Sequence, residues 1–308
     1  MTQTKKNKGN FTATVIFNKK LGPTTYSLSL EFACDLAKPI SAFKPGQFIE
    51  LDISKASLPE PESIPAYLRD KANRHILLRR PFSPCSVEVK NNHINMNLIY
   101  SVIGPATLRM TTLTKSAKVS IIGPLGNGFS MPDKKTTALL VSGGVGSPPI
   151  QHLATALAEK YSALKIVFFA GTAAISNAPF ETEKTHNGFI IPQLQKHNID
   201  TYIATDNGSA GHHGFITESL QQWLDQNSIN PSNTVIYTCG PEPMLKAVAH
   251  IARSNNIECQ VSLERTMACG LGLCQSCAVE VKIPESTETQ YKMCCTNGPV
   301  FNAEDIIF

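Results

Sequence analysis

Long apolar runs, one-signed charge and paired C-x-x-C motifs are all scarce in this chain, and each shortage removes a class of function. No stretch has the apolar length of a signal peptide or membrane span; the N-terminus, with Lys5, Lys6 and Lys8 before Gly9, reads as a solvated leader. A net charge of +4 with 17% charged residues is nearly balanced, so neither nucleic acid nor a membrane is an expected partner. Neither G-x-S-x-G nor H-E-x-x-H occurs, and His212-His213 lies in a glycine-rich stretch that reads as a turn, which leaves hydrolase chemistry without an anchor. There is no internal repeat. Nine cysteines without a secretory signal point to reduced thiols or metal ligands rather than disulfides, and therefore to the cytoplasm. Cys34, Cys85 and Cys259 read as core thiols.

Four of the remaining cysteines have a spacing that matters. Cys269, Cys274 and Cys277 run C-x4-C-x2-C, and Cys295 follows, the pattern by which plant-type ferredoxins hold a 2Fe-2S cluster. Gly270 and Gly272 suit a tight loop whose amides approach the sulfurs. A structural zinc site also needs only four cysteines, but zinc knuckles favour two C-x-x-C pairs and this chain has one.

By texture the 308 residues divide into three parts, at 1–132, 133–258 and 259–308. The first carries short β-type runs (12–17, 25–32, 47–53, 86–89, 94–102 and 118–122) with one helical stretch at 106–113, which suggests an antiparallel β-barrel. The run from Ser54 to His75, broken by Pro59, Pro61 and Pro65, reads as a surface loop, with a partner-docking element as the sharper alternative. In the second part β-rich and helical segments alternate (137–141, 150–161, 165–170, 201–204, 215–227, 234–238 and 241–253), the mark of a parallel sheet flanked by helices. The third part is too short for a core of its own, so a cluster would supply what packing cannot. The fold class is therefore α/β plus all-β with a small C-terminal segment.

Gly143-Gly144-Val145-Gly146 follows the apolar run Leu139-Leu140-Val141 and precedes Pro148-Pro149, a strand, loop and helix start where a nucleotide pyrophosphate can meet free amides. G-G-x-G alone is a weak signal, and a packing turn is the plain alternative. A second loop, Thr238-Cys239-Gly240-Pro241, follows a later strand. Because ligands of such sheets gather at carboxyl ends, Cys239 and Gly240 become candidates to face a nicotinamide, against the default of a buried thiol. After the second strand, Gly171-Thr172-Ala173-Ala174 offers no arginine for a 2'-phosphate, which favours NAD over NADP.

With these segments in place the chain resembles, over nearly its whole length, the ferredoxin reductase superfamily and within it the electron transfer subunits of bacterial dihydroorotate dehydrogenase B. The family's Arg-Pro-x-Ser is Arg80-Pro81-Phe82-Ser83; its aliphatic-Tyr-Arg triplet is Ile99-Tyr100-Ser101; its Gly-Thr pair is Ala106-Thr107. Thr205-Asp206-Asn207-Gly208-Ser209 and Gly214-Phe215-Ile216-Thr217 also match, as does C-x-x-G-P-V-F from Cys295 to Phe301. Ser101 stands where the family has arginine and Ala106 where it has glycine, which leaves one cation fewer and a stiffer backbone beside the phosphates. The fourth ligand falls late, after extra residues between Ile283 and Gln290, and Cys294 precedes it; Cys295 keeps the family's distance to Gly298-Pro299-Val300-Phe301.

The resemblance implies FAD on the barrel, held by Arg80, Pro81, Phe82 and Ser83, by Ile99, Tyr100 and Ser101, and by Ala106 and Thr107, the threonine capping a short helix. It implies NAD at Gly143, Gly144, Gly146, Cys239 and Gly240, and a 2Fe-2S cluster on Cys269, Cys274, Cys277 and Cys295. The expected partner is an FMN-carrying catalytic dehydrogenase, in a heterotetramer, that oxidises dihydroorotate for pyrimidine synthesis. Nicotinamide exchanges electrons in pairs and the cluster singly; FAD does both. Related subunits serve sulfhydrogenases and ferredoxin-NADP transhydrogenases, and a zinc-stapled scaffold with vestigial nucleotide loops is the non-catalytic alternative. The ligand assignment predicts that Cys274→Ser and Cys295→Ser abolish the cluster's visible absorbance while Cys294→Ser leaves it intact. Absorbance spectra of the three purified variants check this, and an intact spectrum in Cys295→Ser refutes the choice.

Overall fold

A computed structural model describes residues 8–35, 37–186 and 188–308. The leader around Lys5 and Lys6 lies outside them. The first unit is a seven-stranded antiparallel sheet of β1 (Gly9–Lys20), β2 (Thr25–Ala33), β3 (Phe48–Asp52), β4 (Arg80–Phe82), β5 (Ser86–Lys90), β6 (His93–Ser101) and β7 (Lys118–Leu125), in the order β4-β3-β7-β1-β2-β6-β5. It curls into a half-barrel with β4 and β5 as its free edges. Alternation sets the curl: Ile94, Met96, Leu98 and Tyr100 of β6 and Val119 and Ile121 of β7 point into one apolar core with Leu28, Leu30 and Leu51. Helices α1 (Lys38–Ser41) and α2 (Pro105–Met110) close its ends, burying Ile40, Leu108 and Met110.

The stretch from Ser54 to His75 is a folded lobe rather than a loose surface loop. Its 3-10 turns at Pro61–Ser63 and Ala66–Lys71 bury Leu68, and Ala72 follows it into the barrel core. The Tyr67 hydroxyl donates to the Val102 carbonyl at 2.7 Å, and Arg109 donates to the carbonyls of Ala72 and Arg74.

The second sheet is mainly parallel. It contains β8 (Thr137–Gly143), β9 (Lys165–Thr172), β12 (Asp200–Thr205), β13 (His212–His213), β14 (Thr234–Cys239), β15 (Glu258–Ser262) and β18 (Val300–Asn302), in the order β13-β12-β9-β8-β14-β15-β18. A hairpin of β10 (Glu183–Thr185) and β11 (Gly188–Ile190) stands apart. Helices α3 (Ser147–Lys160), α4 (Pro192–Gln195), α5 (Ile216–Gln226) and α6 (Glu242–Ser254) flank the sheet, and its central strands are buried on both faces. His212-His213, expected as a turn, is a short edge strand paired with Ala204-Thr205, and His212 Nε2 lies 2.6 Å from Glu218 Oε2.

The C-terminal segment differs most from its sequence reading. Residue texture places a border before Cys259, yet β15 is an internal strand of the parallel sheet and β18 returns antiparallel to form its edge. The hairpin of β16 (Ala278–Lys282) and β17 (Thr289–Met293), followed by α7 (Cys294–Asn297), buries Val279, Val281, Cys294 and Cys295 in the same core as Leu139, Val141 and Leu245. Apolar packing borrowed from the α/β sheet, and not a metal alone, therefore holds this segment. The extra residues after Ile283 form the hairpin's tip. Cys85 and Cys259 are buried, and Cys34 is half-buried.

Candidate functional site

Three walls meet around a cleft of about 830 Å³. The barrel supplies Arg80, Pro81, Phe82 and Ser83 and the backbone from Ile103 to Thr107; the parallel sheet supplies Val145, Gly146, Cys239 and Gly240; the chain from Ser262 to Ala268 supplies the third. Sequence reading found the first two. It passed over 262–268, which has no motif of its own and whose only signal is its position just before Cys269.

The barrel wall includes the triplet at the end of β6. Ile99, Tyr100 and Ser101 all border the cleft, and the Tyr100 ring is packed in the barrel core, stacked on Tyr26 at 5.5 Å, with its hydroxyl 3.1 Å from Asn18 Oδ1. Arg80 stands on the edge strand β4, and its Nη1 donates to the carbonyls of Leu78 at 2.7 Å and Arg79 at 3.1 Å. The guanidinium is thus held at the cleft by backbone and keeps donors in reserve. Thr107 caps α2 as expected, but from the third helical position rather than as the N-cap residue itself. The N-cap is Gly104, and the Thr107 hydroxyl reaches back to accept from the amides of Ile103 and Gly104 at 3.0 and 3.2 Å. Ala106 is buried beside it.

On the opposite wall the glycine loop is shaped by contact. A Cβ on Gly146 would stand 2.3 Å from the Cys239 carbonyl oxygen, so only glycine lets the start of α3 settle against the end of β14. A Cβ on Gly143 would meet Met244 Sδ at 2.6 Å and Pro241 Cδ at 3.0 Å, and Gly144 turns the chain with φ at +50°. Gly143 and Gly144 therefore shape the loop, while Val145 and Gly146 reach the cleft itself. Burial pushes the Cys239 thiol up to about 12, so it stays protonated, a neutral donor beside Ser262. Arg265 Nη1 donates to Glu242 Oε2 at 2.8 Å and ties the third wall to α6.

The four candidate ligands lie in two pairs. The Cys274 amide donates to Cys269 Sγ at 3.5 Å, as does the Leu271 amide at 3.4 Å; the Cys295 amide donates to Cys277 Sγ at 3.4 Å. Ser276 holds the exposed Cys274 thiol down to about 6. Among the described residues no three Cys, His, Asp or Glu groups converge on one ion. Two amide-decorated pairs fit a two-iron cluster, each iron taking one pair. Cys294 points elsewhere: its thiol donates to the Leu263 carbonyl inside the core, and burial pushes it up to about 12.

Comparison with known proteins agrees with this geometry. Residues 264–307 match the family model of the iron-sulfur cluster binding domain of dihydroorotate dehydrogenase B, and residues 140–250 match the oxidoreductase NAD-binding domain. The chain is 33% identical over 297 residues to a Geobacillus thermodenitrificans protein named dihydroorotate dehydrogenase B (NAD(+)), electron transfer subunit, covering 96% of this chain and 97% of that one. The Enterococcus faecalis protein of the same name is 31% identical, over 96% and 97%. Among solved structures, an NADH-dependent reduced ferredoxin-NADP oxidoreductase superposes with a TM-score of 0.71 at 21% identity, over 96% of this chain and 89% of that one. A Neisseria gonorrhoeae ferredoxin NADP+ reductase with bound FAD and NADP gives 0.54 at 14% identity, over 80% and 90%. These two likenesses show the shared fold.

The wall geometry makes Arg80 the test of the flavin site. Arg80→Ala removes charge-assisted donors worth roughly 1.5–3 kcal/mol, so FAD affinity should fall by about one to two decades. Fluorescence titration of the apoprotein with FAD measures it, and unchanged affinity removes Arg80 from the site.

Proposed function

The chain belongs to the electron transfer subunits of dihydroorotate dehydrogenase B, and from that membership and the three-walled cleft we propose how its residues carry the reaction. It is an oxidoreductase subunit that uses FAD, a 2Fe-2S cluster and NAD to move electrons between a partner and NAD. The observation that carries the reading is the convergence of the Arg-Pro-Phe-Ser edge, the Gly146–Cys239 junction and the chain leading into Cys269 on one cleft.

When bound, FAD exchanges a hydride with nicotinamide and single electrons with the cluster. Arg80 offers guanidinium donors to a phosphate, and Ser83 a hydroxyl and amide to the flavin edge. At the start of α2 the Gly104 amide is taken by Thr107 and Pro105 has none, which leaves the Ala106 amide to face the pyrophosphate. Gly146 lets the start of α3 close on β14 where the dinucleotide would lie, and Cys239, kept protonated, faces the nicotinamide as a neutral contact that excludes water. Cys269 and Cys274, beside the 81% exposed Leu273, and Cys277 and Cys295, buried against the α/β core, would hold the cluster, which would carry electrons one at a time. No side chain here acts as a strong acid or base, because the chemistry is placement.

The partner on this reading is a catalytic subunit that carries FMN and oxidises dihydroorotate, assembled with this chain as a heterotetramer in the cytoplasm. No helix among the described residues is long and apolar enough to cross a membrane. Alone, the protein should pass electrons from NADH to an artificial one-electron acceptor without oxidising dihydroorotate. Mixed with the FMN-containing subunit from the same source it should couple dihydroorotate oxidation to NAD reduction, followed at the absorbance of NADH. Dihydroorotate oxidation by this chain alone contradicts the reading, and failure to couple moves the partner to another dehydrogenase.

A further inference from the structure

One buried acid remains without a role in this account. Glu50, at the middle of β3, is 1% exposed, and neither of its carboxyl oxygens has a hydrogen-bond partner among the described residues. Such a group is costly to keep unless something nearby uses it. Its place in the fold is specific. Glu50 pairs with Pro81 of the Arg-Pro-Phe-Ser edge on one side and with Ile122 of β7 on the other. Its carboxyl lies beneath the cysteine loop: a Cβ on Gly270 would stand 2.6 Å from Glu50 Oε1 and 2.7 Å from its Cγ. Gly270, with φ at +63°, is glycine both for its left-handed backbone and because this acid fills the space a side chain would need.

We propose that Glu50 couples the flavin strand electrostatically to the cysteine loop, its carboxyl lowering the electron affinity of the cluster that the loop holds. The physical basis is proximity in a medium of low polarity. A fixed negative charge a few ångströms from a redox centre opposes the arrival of an electron, and burial removes the solvent that would screen it. Two cations face the carboxyl, Arg79 and Arg80. Arg79 is engaged by Asp52 and by the Ser120 carbonyl and hydroxyl, and Arg80 by backbone carbonyls. Neither forms a hydrogen bond with the Glu50 side chain, so the two cations offset its field only in part. Burial raises the carboxyl to about 7 against the pull of both arginines, and mild alkali therefore keeps it ionised. An acid here links the two halves of the path: Arg80 grips the flavin side from the adjacent strand, and Glu50 sets the cluster side.

This inference rests on the reading of Cys269, Cys274, Cys277 and Cys295 as cluster ligands, and its test separates the two. Wild type, Glu50→Gln and Glu50→Asp, each purified as the full chain with its cofactors, are poised at a series of potentials at pH 8.5, and the reduced cluster is counted by its paramagnetic signal. Glu50→Gln keeps the shape and removes the charge, so the ratio of reduced to oxidised cluster at a fixed potential should rise about tenfold or more. Glu50→Asp keeps the charge and should restore a ratio close to that of wild type. Melting of Glu50→Gln at the same pH should occur at or above the wild-type temperature, since an unpaired buried charge has been removed. An unmoved ratio, or a lowered melting temperature with an unmoved ratio, assigns Glu50 to packing and overturns the proposal. Absence of any cluster signal in the wild type would instead overturn the ligand reading on which it rests.

Discussion

Asn127 is the joint on which the arrangement depends. It follows β7 of the half-barrel, yet its four hydrogen bonds all go to the C-terminal segment. Its amide donates to the Gly298 carbonyl at 2.6 Å, its side-chain nitrogen donates to the carbonyls of Asn297 and Val300, and its side-chain oxygen accepts from the Val300 amide. The same segment is fixed to the parallel sheet, where β18 pairs with β15 and the Leu263 amide donates to the Pro299 carbonyl. One side chain therefore locks the flavin-side sheet to the strand that follows the last cysteine. Each such bond contributes about 0.5–1.5 kcal/mol net, but the main effect is geometric, because redox groups on separate units work together only if those units cannot drift.

That joint explains why a short cysteine-bearing segment needs no separate core. Cys277 and Cys295 are buried among Val279, Val281 and Ile306, which share an apolar cluster with the helices and strands of the α/β unit. Cys269 and Cys274 remain toward solvent with the exposed Leu273. The candidate cluster site is thus anchored in the core on one side and open to solvent on the other. The glycine positions serve the same division: Gly146 allows α3 to close on β14, and Gly270 allows the loop to descend on Glu50.

Much of the site was legible in the sequence because local chemistry announces it. Cysteine spacing, a glycine loop between strand and helix, and Arg-Pro-Phe-Ser are short-range signals that survive without tertiary knowledge. The choice of Cys295 over Cys294 rests on distance to Gly298-Pro299-Val300-Phe301; in the fold the Cys294 thiol donates to Leu263 in the core and the Cys295 amide donates to Cys277 Sγ. What escaped depends on pairing across long separations. Asn127 reads as an ordinary loop asparagine, although its partners lie 170 residues and more away. Glu50 reads as an outward residue of an alternating strand until the cysteine loop covers it. The border before Cys259 failed for the same reason, because β15 carries too few residues to reveal that β14 and β18 flank it. Thr107 caps α2 from its third position, and Gly104 as the N-cap went unread because a glycine there leaves no side-chain signature.

The central claim is that one rigid cleft exchanges electrons with nicotinamide in pairs and with the cysteine loop singly. Anaerobic titration of the purified chain with NADH tests it most directly, with flavin absorbance and the reduced-cluster paramagnetic signal followed together. FAD takes two electrons and the cluster one, so complete reduction should need about 1.5 equivalents of NADH, with both signals changing in the same titration. Flavin bleaching that ends at about one equivalent with no cluster signal, even with NADH in excess, would contradict the account.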